Sequence, residues 1–289
     1  MTKPLMFGAM LLLPSPLPAQ TAQPPAPPAT AGDGVVVTAR PLATDREVRE
    51  QIVGVTGHPR SDMPLMRFRE PVCIGTAGLP VAAGEAILRR MMETVRSLNM
   101  PIAADGCRPN ILVLFADDPQ EQLLGLRTRS PEIFGDLSRA AVGRIVKGAG
   151  PVYAWNAAVR VSRDGDQLFQ TDTWPQMKLG AASRLLTPIR QDIAASVIVI
   201  QRKALLNKTL GQIADYAVMR GMAATKPVEG MTSATILTLF DKDGGTAPAE
   251  LTAFDRGVLN GIYASPPHAQ ATQQVATMER AVREQGGTR

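Results

Sequence analysis

With 289 residues, 45% of them hydrophobic and 20% charged, the chain is ordinary in apolar content and long enough to bury one sizeable core. Its net charge of +5 comes from scattered Lys and Arg with few aromatics between them, which argues against a nucleic-acid interface. Two histidines and two cysteines all but exclude a zinc site built from histidine, and leave a Ser-His-Asp or Cys-His centre only His58 and His268 to draw on.

The chain opens with Lys3, an apolar run over residues 5–13 and then Pro14-Ser-Pro-Leu-Pro-Ala19-Gln20. A basic start, a run too short to span a bilayer and a small residue at the cut have the form of a secretory signal peptide, residues 1–19, with cleavage after Ala19. Cleavage removes Lys3 and no acid, so the net charge falls from +5 to +4. No Cys follows the cut, so a lipoprotein is not expected. The mature chain is read as exported and periplasmic, with no further transmembrane segment. Residues 20–33 are dominated by Pro and Ala and cannot bury enough apolar surface to offset their ordering entropy, which makes them a flexible tether.

Residues 34–265 are read as a single α+β domain, a mixed sheet with packed helices and a helical C-terminal third, because strand and helix patterns interleave at irregular spacing. Residues 34–40 (GVVVTAR) are a β-branched strand or edge segment. They also resemble the short segment that outer-membrane TonB-dependent receptors carry near their mature N-terminus, although nothing downstream has the alternating ten-residue strands of an outer-membrane barrel. Residues 45–53 form a short helix, and His58 sits in a Gly-His-Pro loop. Residues 84–98 carry Ile87, Leu88, Met91, Met92, Val95 and Leu98 at helical spacing. Residues 110–116 (NILVLFA) are a continuous apolar run of strand length, flanked by Arg108-Pro109 and Asp117-Asp118-Pro119, the form of a buried strand leading into a helix.

Residues 120–126 and 133–146 supply one or two more helices, and residues 152–162 alternate as a strand that turns at Asp164-Gly165-Asp166. Residues 167–190 carry no pattern that assigns them. An apolar strand over 197–200 leads to a helix over 210–224, opened by a capping box at Thr209 and Gln212 and apolar nearly all round. A short apolar turn follows at 236–240. Thr252 and Asp255 open the next helix, whose apolar stripe is Leu251, Phe254, Val258, Leu259, Ile262 and Tyr263. Residues 266–289, rich in Gln, Ala, Arg and Glu, are read as a solvent-facing terminal helix with a frayed tail. Cys73 and Cys107 lie in short irregular stretches of an exported chain and are expected to form a disulfide rather than a metal site.

Several chemistries lack their motifs. The chain has no Gly-x-Ser-x-Gly elbow, no Walker loop and no Gly-x-Gly-x-x-Gly after a strand, so no cofactor is expected. Asp241 and Asp243 have the alternate spacing that opens a calcium loop, but the third oxygen ligand and the distal Glu are missing, which makes the stretch a polar turn.

The turn Ile236-Leu-Thr-Leu-Phe240 and the helix Leu251-Thr252-Ala-Phe-Asp255-Arg-Gly-Val-Leu259-Asn-Gly-Ile262-Tyr263 resemble the end of zinc-metallopeptidase-like (zincin) domains. They also resemble an exported bacterial family related to those domains. The resemblance implies that Ala214-Asp215-Tyr216-Ala217-Val218-Met219-Arg220-Gly221 takes the place of the metal-binding helix. Ala214 and Val218 then stand where its two zinc histidines would be, Asp215 stands where its general base would be, and Gly221 alone is kept. The chain as a whole resembles exported proteins of sphingomonad-type bacteria through Val35-Val-Val-Thr-Ala39, Pro71-Val-Cys73, Cys107-Arg-Pro-Asn110 and Ile213-Ala-Asp-Tyr216, a likeness that brings no assigned activity. Together these imply a zincin-like envelope protein that has lost its metal and acts by binding a peptide or an envelope protein. One alternative is a metal-independent hydrolase with Asp215 and Tyr216 as acid-base residues and Arg220 as an anion partner. For Asp215, capping a backbone group or pairing with an Arg competes with that role. A second alternative, an accessory protein of outer-membrane uptake, rests on residues 35–39 and the Pro-rich tether.

Overall fold

The computed structural model describes residues 44–287 except residues 62, 167–168, 171–174, 177–186, 228–233 and 242–246. The signal peptide, the tether and the strand expected over 34–40 lie outside the described residues, as does Asp243. Thr44 opens α1 (Asp45–Val55) with a capping box completed by Glu47. The first strand, β1 (Ile74–Ala77), is four residues long and was not expected, since Ile-Gly-Thr-Ala is too short and too weakly apolar to register as a period. It leads into α2 (Val81–Ser97) and then β2 (Ile111–Ala116).

Asp118 caps α3 (Pro119–Arg129), accepting from the N–H groups of Gln120 and Glu121. The expected helix over 133–146 divides into a 3₁₀ turn (Pro131–Phe134) and α4 (Arg139–Val146), separated by Gly135 at φ +53° and restarted by the Ser138 cap. β3 (Val152–Ser162) has its expected bounds. A two-residue pair, β4 (Phe169–Gln170) with β5 (Pro175–Gln176), precedes β6 (Ile189–Gln201), which is far longer than the apolar run at 197–200. A 3₁₀ turn (Arg202–Leu205) then leads to α5 (Leu210–Met222), whose capping box at Thr209 and Gln212 is complete. The chain continues through a 3₁₀ turn (Ile236–Phe240) to α6 (Ala253–Ala264) and α7 (Ala271–Gly287).

The main sheet has the order β1-β2-β6-β3. β1, β2 and β6 run parallel, while β3 lies antiparallel to β6 and, among the described residues, pairs with no other strand. Alternation divides the sheet between two layers. Ile111, Val113, Phe115, Ile198 and Ile200 are buried beneath α2, α5 and the C-terminal helices, and Val197 and Val199 are buried on the other face with Leu123, Phe134, Val146 and Trp155. This is the α+β domain with a mixed sheet and a helical C-terminal part. Among the described residues no helix is long and apolar enough to cross a membrane.

Cys73 and Cys107 form the expected disulfide, with their Cα atoms 6.2 Å apart, and so join the chain before β1 to the loop before β2. A closed loop of this length, 34 residues in separation, stabilises the fold by about 4 kcal/mol on the chain-entropy account. Asn110 seals the same corner, accepting from the Cys73 N–H at 2.8 Å and donating to the Pro71 carbonyl at 3.0 Å.

The last helix departs from its expected character. Ala271, Gln274, Val275 and Met278 of α7 are all buried against α6 and α1, so only one face of the helix meets solvent. Gln274 accepts from the Leu65 N–H and the half-exposed Arg49 donates to Glu279 at 2.9 Å, which ties α7 to the start of the domain. Arg67, also buried, donates to the carbonyls of Ile262, Tyr263 and Ser265 and so closes the C-terminal end of α6 where those groups lack helical partners.

Candidate functional site

The region of α5 that the resemblance singles out divides into two environments. Ala214 and Val218 are completely buried in the main core. Two aliphatic side chains inside a core do not fit a zinc ion, and among the described residues no group of three His, Cys, Asp or Glu side chains is placed to hold a metal. Asp215 is likewise fully buried, and its carboxylate is spoken for. It accepts from Arg90 Nε and Nη2, both at 2.9 Å, and from the Leu251 N–H at 2.9 Å. Both competing structural roles, backbone capping and an arginine partner, are therefore present at once.

Tyr216 and Arg220 lie in a different place. Arg220 donates from Nη1 to the Tyr216 hydroxyl at 2.7 Å, and its guanidinium stands 5.7 Å from the centroid of that ring. Phe240 meets Tyr216 edge-to-face at 4.8 Å. Burial pushes the Tyr216 phenol up, while the adjoining arginine acts in the opposite direction. Neither residue is a partner of Asp215, so the three candidate side chains do not converge on one point as an acid-base centre would require.

What Tyr216 and Arg220 do share is a cleft of about 840 Å³ between β3 and α5. Val152, Ala154 and Asn156 contribute from the strand, and Leu237 and Phe240 from the 3₁₀ turn. A second cleft of about 340 Å³ shares Met66, Ala224 and Lys226 with it and continues to Arg160, so the two form one groove.

The strand side of the groove has backbone groups that are open among the described residues. Gln201 donates to the Pro151 carbonyl at 2.8 Å, which makes 151/201 a hydrogen-bonded pair of the antiparallel ladder, and 153/199 and 155/197 follow it. Val152, Ala154 and Asn156 fall at the alternate positions, where N–H and C=O point away from β6 toward the unpaired edge. Ser196, opposite Asn156, confirms the alternation by donating outward to the Asn110 carbonyl.

The helix side is fixed by buried polar contacts. Asn156 Nδ2 donates to Ser196 Oγ at 2.7 Å and to the Gly221 carbonyl at 3.0 Å, and the Ser196 hydroxyl donates to that same carbonyl at 2.9 Å. The end of α5 is thereby held against β3. The 3₁₀ turn is held by Asp255, whose buried carboxylate accepts from the Thr235 hydroxyl, the Ile236 N–H at 2.9 Å and the Thr252 N–H at 3.0 Å. The Thr-x-x-Asp capping box that begins α6 thus also positions Phe240 over the groove.

Burial pushes the Asp255 carboxyl above its ordinary 3.8, against the hydrogen bonds from Thr235, Thr252 and Ile236. The folded chain then keeps this proton to higher pH than the unfolded chain, so the contribution of this group is fully present below pH 3.8 and falls as pH rises through the folded value. Asp255→Asn removes the titration while its amide oxygen still accepts from the two N–H groups. The variant is expected to lose about 1 kcal/mol at neutral pH. In urea denaturation the wild-type advantage should widen as the pH is lowered toward 4; a constant difference would contradict the assignment.

Sequence reasoning placed Tyr216 and Arg220 on the right helix but missed Asn156, Lys226 and the groove itself. The one signal available was the alternation of residues 152–162, which marks a strand without revealing that it is an edge. Comparison with known proteins finds no matching family model, no matching curated protein and no matching solved structure.

Proposed function

We propose that this is an exported envelope protein that binds extended polypeptide, a non-catalytic relative of the zinc peptidases that residues 213–263 resemble. The observation that carries the reading is the groove beside β3, where the outward N–H and C=O groups of Val152, Ala154 and Asn156 stand next to a partly apolar cleft floored by α5. A strand edge of this kind takes an added strand, whose main chain supplies affinity and whose alternate side chains enter the cleft. The aliphatic residues at the two expected zinc positions and the Arg90 partner of Asp215 support a role in binding over one in hydrolysis.

The test is Ala154→Pro. Its ring replaces a donor that faces the open edge, where proline is tolerated, so the sheet survives while the added strand loses a central hydrogen bond. Measured by fluorescence anisotropy against a library of labelled ten-residue peptides, the wild type is expected to retain ligands, and the variant to bind them at least tenfold more weakly with its melting temperature little changed. Peptide binding that survives Ala154→Pro undiminished would place the ligand elsewhere, and a library from which nothing binds would remove the reading. Recovery of the chain from the periplasmic fraction with Gln20 at its N-terminus tests the export.

A further inference from the structure

The groove is predominantly cationic. Among the described residues that line it, Arg60, Arg144, Arg160, Arg220 and Lys226 are cationic and Asp241 is the one carboxylate. Several arginines outside the groove hold acidic partners, among them Arg46 with Glu50, Arg90 with Asp215 and Glu250, and Arg190 with Asp192. Four of the groove cations, Arg144, Arg160, Arg220 and Lys226, form no ion pair among the described residues.

Arg220 is the most constrained of them. It is half-buried at the cleft floor, one nitrogen is committed to the Tyr216 hydroxyl, and Nε is buried with no hydrogen-bond partner among the described residues. A guanidinium has five N–H donors, and one left dry and unused is unfavourable unless an acceptor arrives. Lys226, exposed where the two clefts meet, and Arg144 and Arg160, exposed on either side, surround it with like charge that an anion would relieve.

We infer that the polypeptide this groove takes is acidic, an extended segment with carboxylates at alternate positions that face Arg220 and Lys226. The inference rests on the reading of β3 as a docking edge. The alternation follows from it: in an added strand every second side chain points to the α5 face, so Asp or Glu at i and i+2 enter the groove together while the residue between them points away. Charge–charge recognition of this kind is screened by salt, with a Debye length that shrinks from about 10 Å at 0.1 M to about 3 Å at 1 M.

The test uses the whole mature protein and three ten-residue peptides of one sequence, with Glu, Gln or Lys at the alternate positions. The Glu peptide is expected to bind at least tenfold more tightly than the Gln peptide at 0.1 M salt, and the Lys peptide not to bind. The gap should close at 1 M salt, and Lys226→Glu, at an exposed position, should narrow it even if Arg220→Glu fails to fold. Equal affinity for the Glu and Gln peptides would overturn the acidic preference while leaving the docking edge intact. Failure of all three to bind would remove both. Displacement of the Glu peptide by heparin, together with binding that Ala154→Pro leaves unchanged, would also overturn it, in favour of a surface for polyanions with no added strand.

Discussion

Replacing Arg90 with methionine lowers the stability of the fold by about 3–5 kcal/mol in urea denaturation, an amount sufficient to leave many domains of this size partly unfolded. The size of the effect follows from asymmetry. Arg90 is one-third exposed and keeps water and Glu250 within reach, whereas Asp215 is wholly buried on α5 and depends on the guanidinium for two of its three hydrogen bonds. Losing the arginine strands a carboxylate in the core, and losing the carboxylate merely frees an arginine. Asp215→Asn is therefore expected to be milder, about 1–2 kcal/mol, because the amide oxygen still accepts from Leu251 N–H. The double variant Arg90→Met/Asp215→Leu should recover much of the loss, as apolar replacements of buried ion pairs do. If Asp215→Asn instead left stability untouched and abolished a measured hydrolysis, the carboxylate would be catalytic and the proposed binding role would fall.

Features carried by neighbours in sequence were legible, and those carried by distant partners were not. The Thr209–Gln212 and Thr252–Asp255 boxes are local devices three residues long, and both helices begin where those residues place them. The ends of β3 were legible because turn residues bound an alternating run. β6 was half legible: its second half is buried on both faces and reads as a continuous apolar run, but its first half carries Arg190, Gln191 and Asp192, and the register shifts where it meets Ala157 and Ala158. Asp215 could be recognised as a buried acid, but its partner lies 125 residues away on α2, and nothing in the sequence pairs them. The groove is less legible still. It exists because β3 ends the order β1-β2-β6-β3 and, among the described residues, pairs with β6 alone, and strand order has no local signature.

α7 buries one face that its composition does not advertise. Its Gln- and Ala-rich composition suggested a solvated helix, yet Ala271, Val275 and Met278 recur at spacings of four and three and are buried. The surface that receives them is made by absence. A Cβ on Gly257 of α6 would stand 2.4 Å from Val282 Cα, and one on Gly261 would stand 2.4 Å from Met278 Cα, so the two helices touch backbone to backbone across a pair of glycines four residues apart. No side chain can rotate to relieve a clash with an α-carbon. Gly261→Ala must instead push α7 away, and overpacking of this kind costs about 1–3 kcal/mol before the loosened contacts are counted. Displacement also draws Val275 and Met278 toward water, at about 1.5–3 kcal/mol for each side chain fully uncovered, and strains the Gln274 and Glu279 bonds to Leu65 and Arg49. Alanine's helix propensity works the other way, but only by about 1 kcal/mol. The double variant Gly257→Ala/Gly261→Ala is therefore expected to lose about 4 kcal/mol or more, or to fold with α7 detached and open to proteolysis. Gly143→Ala on α4, where an added Cβ meets nothing within 4 Å, is the control and should gain about 0.5–1 kcal/mol. If both substitutions stabilised the protein alike, α7 would not lie on the glycine face of α6, and the solvated terminal helix that its composition suggests would be the better description.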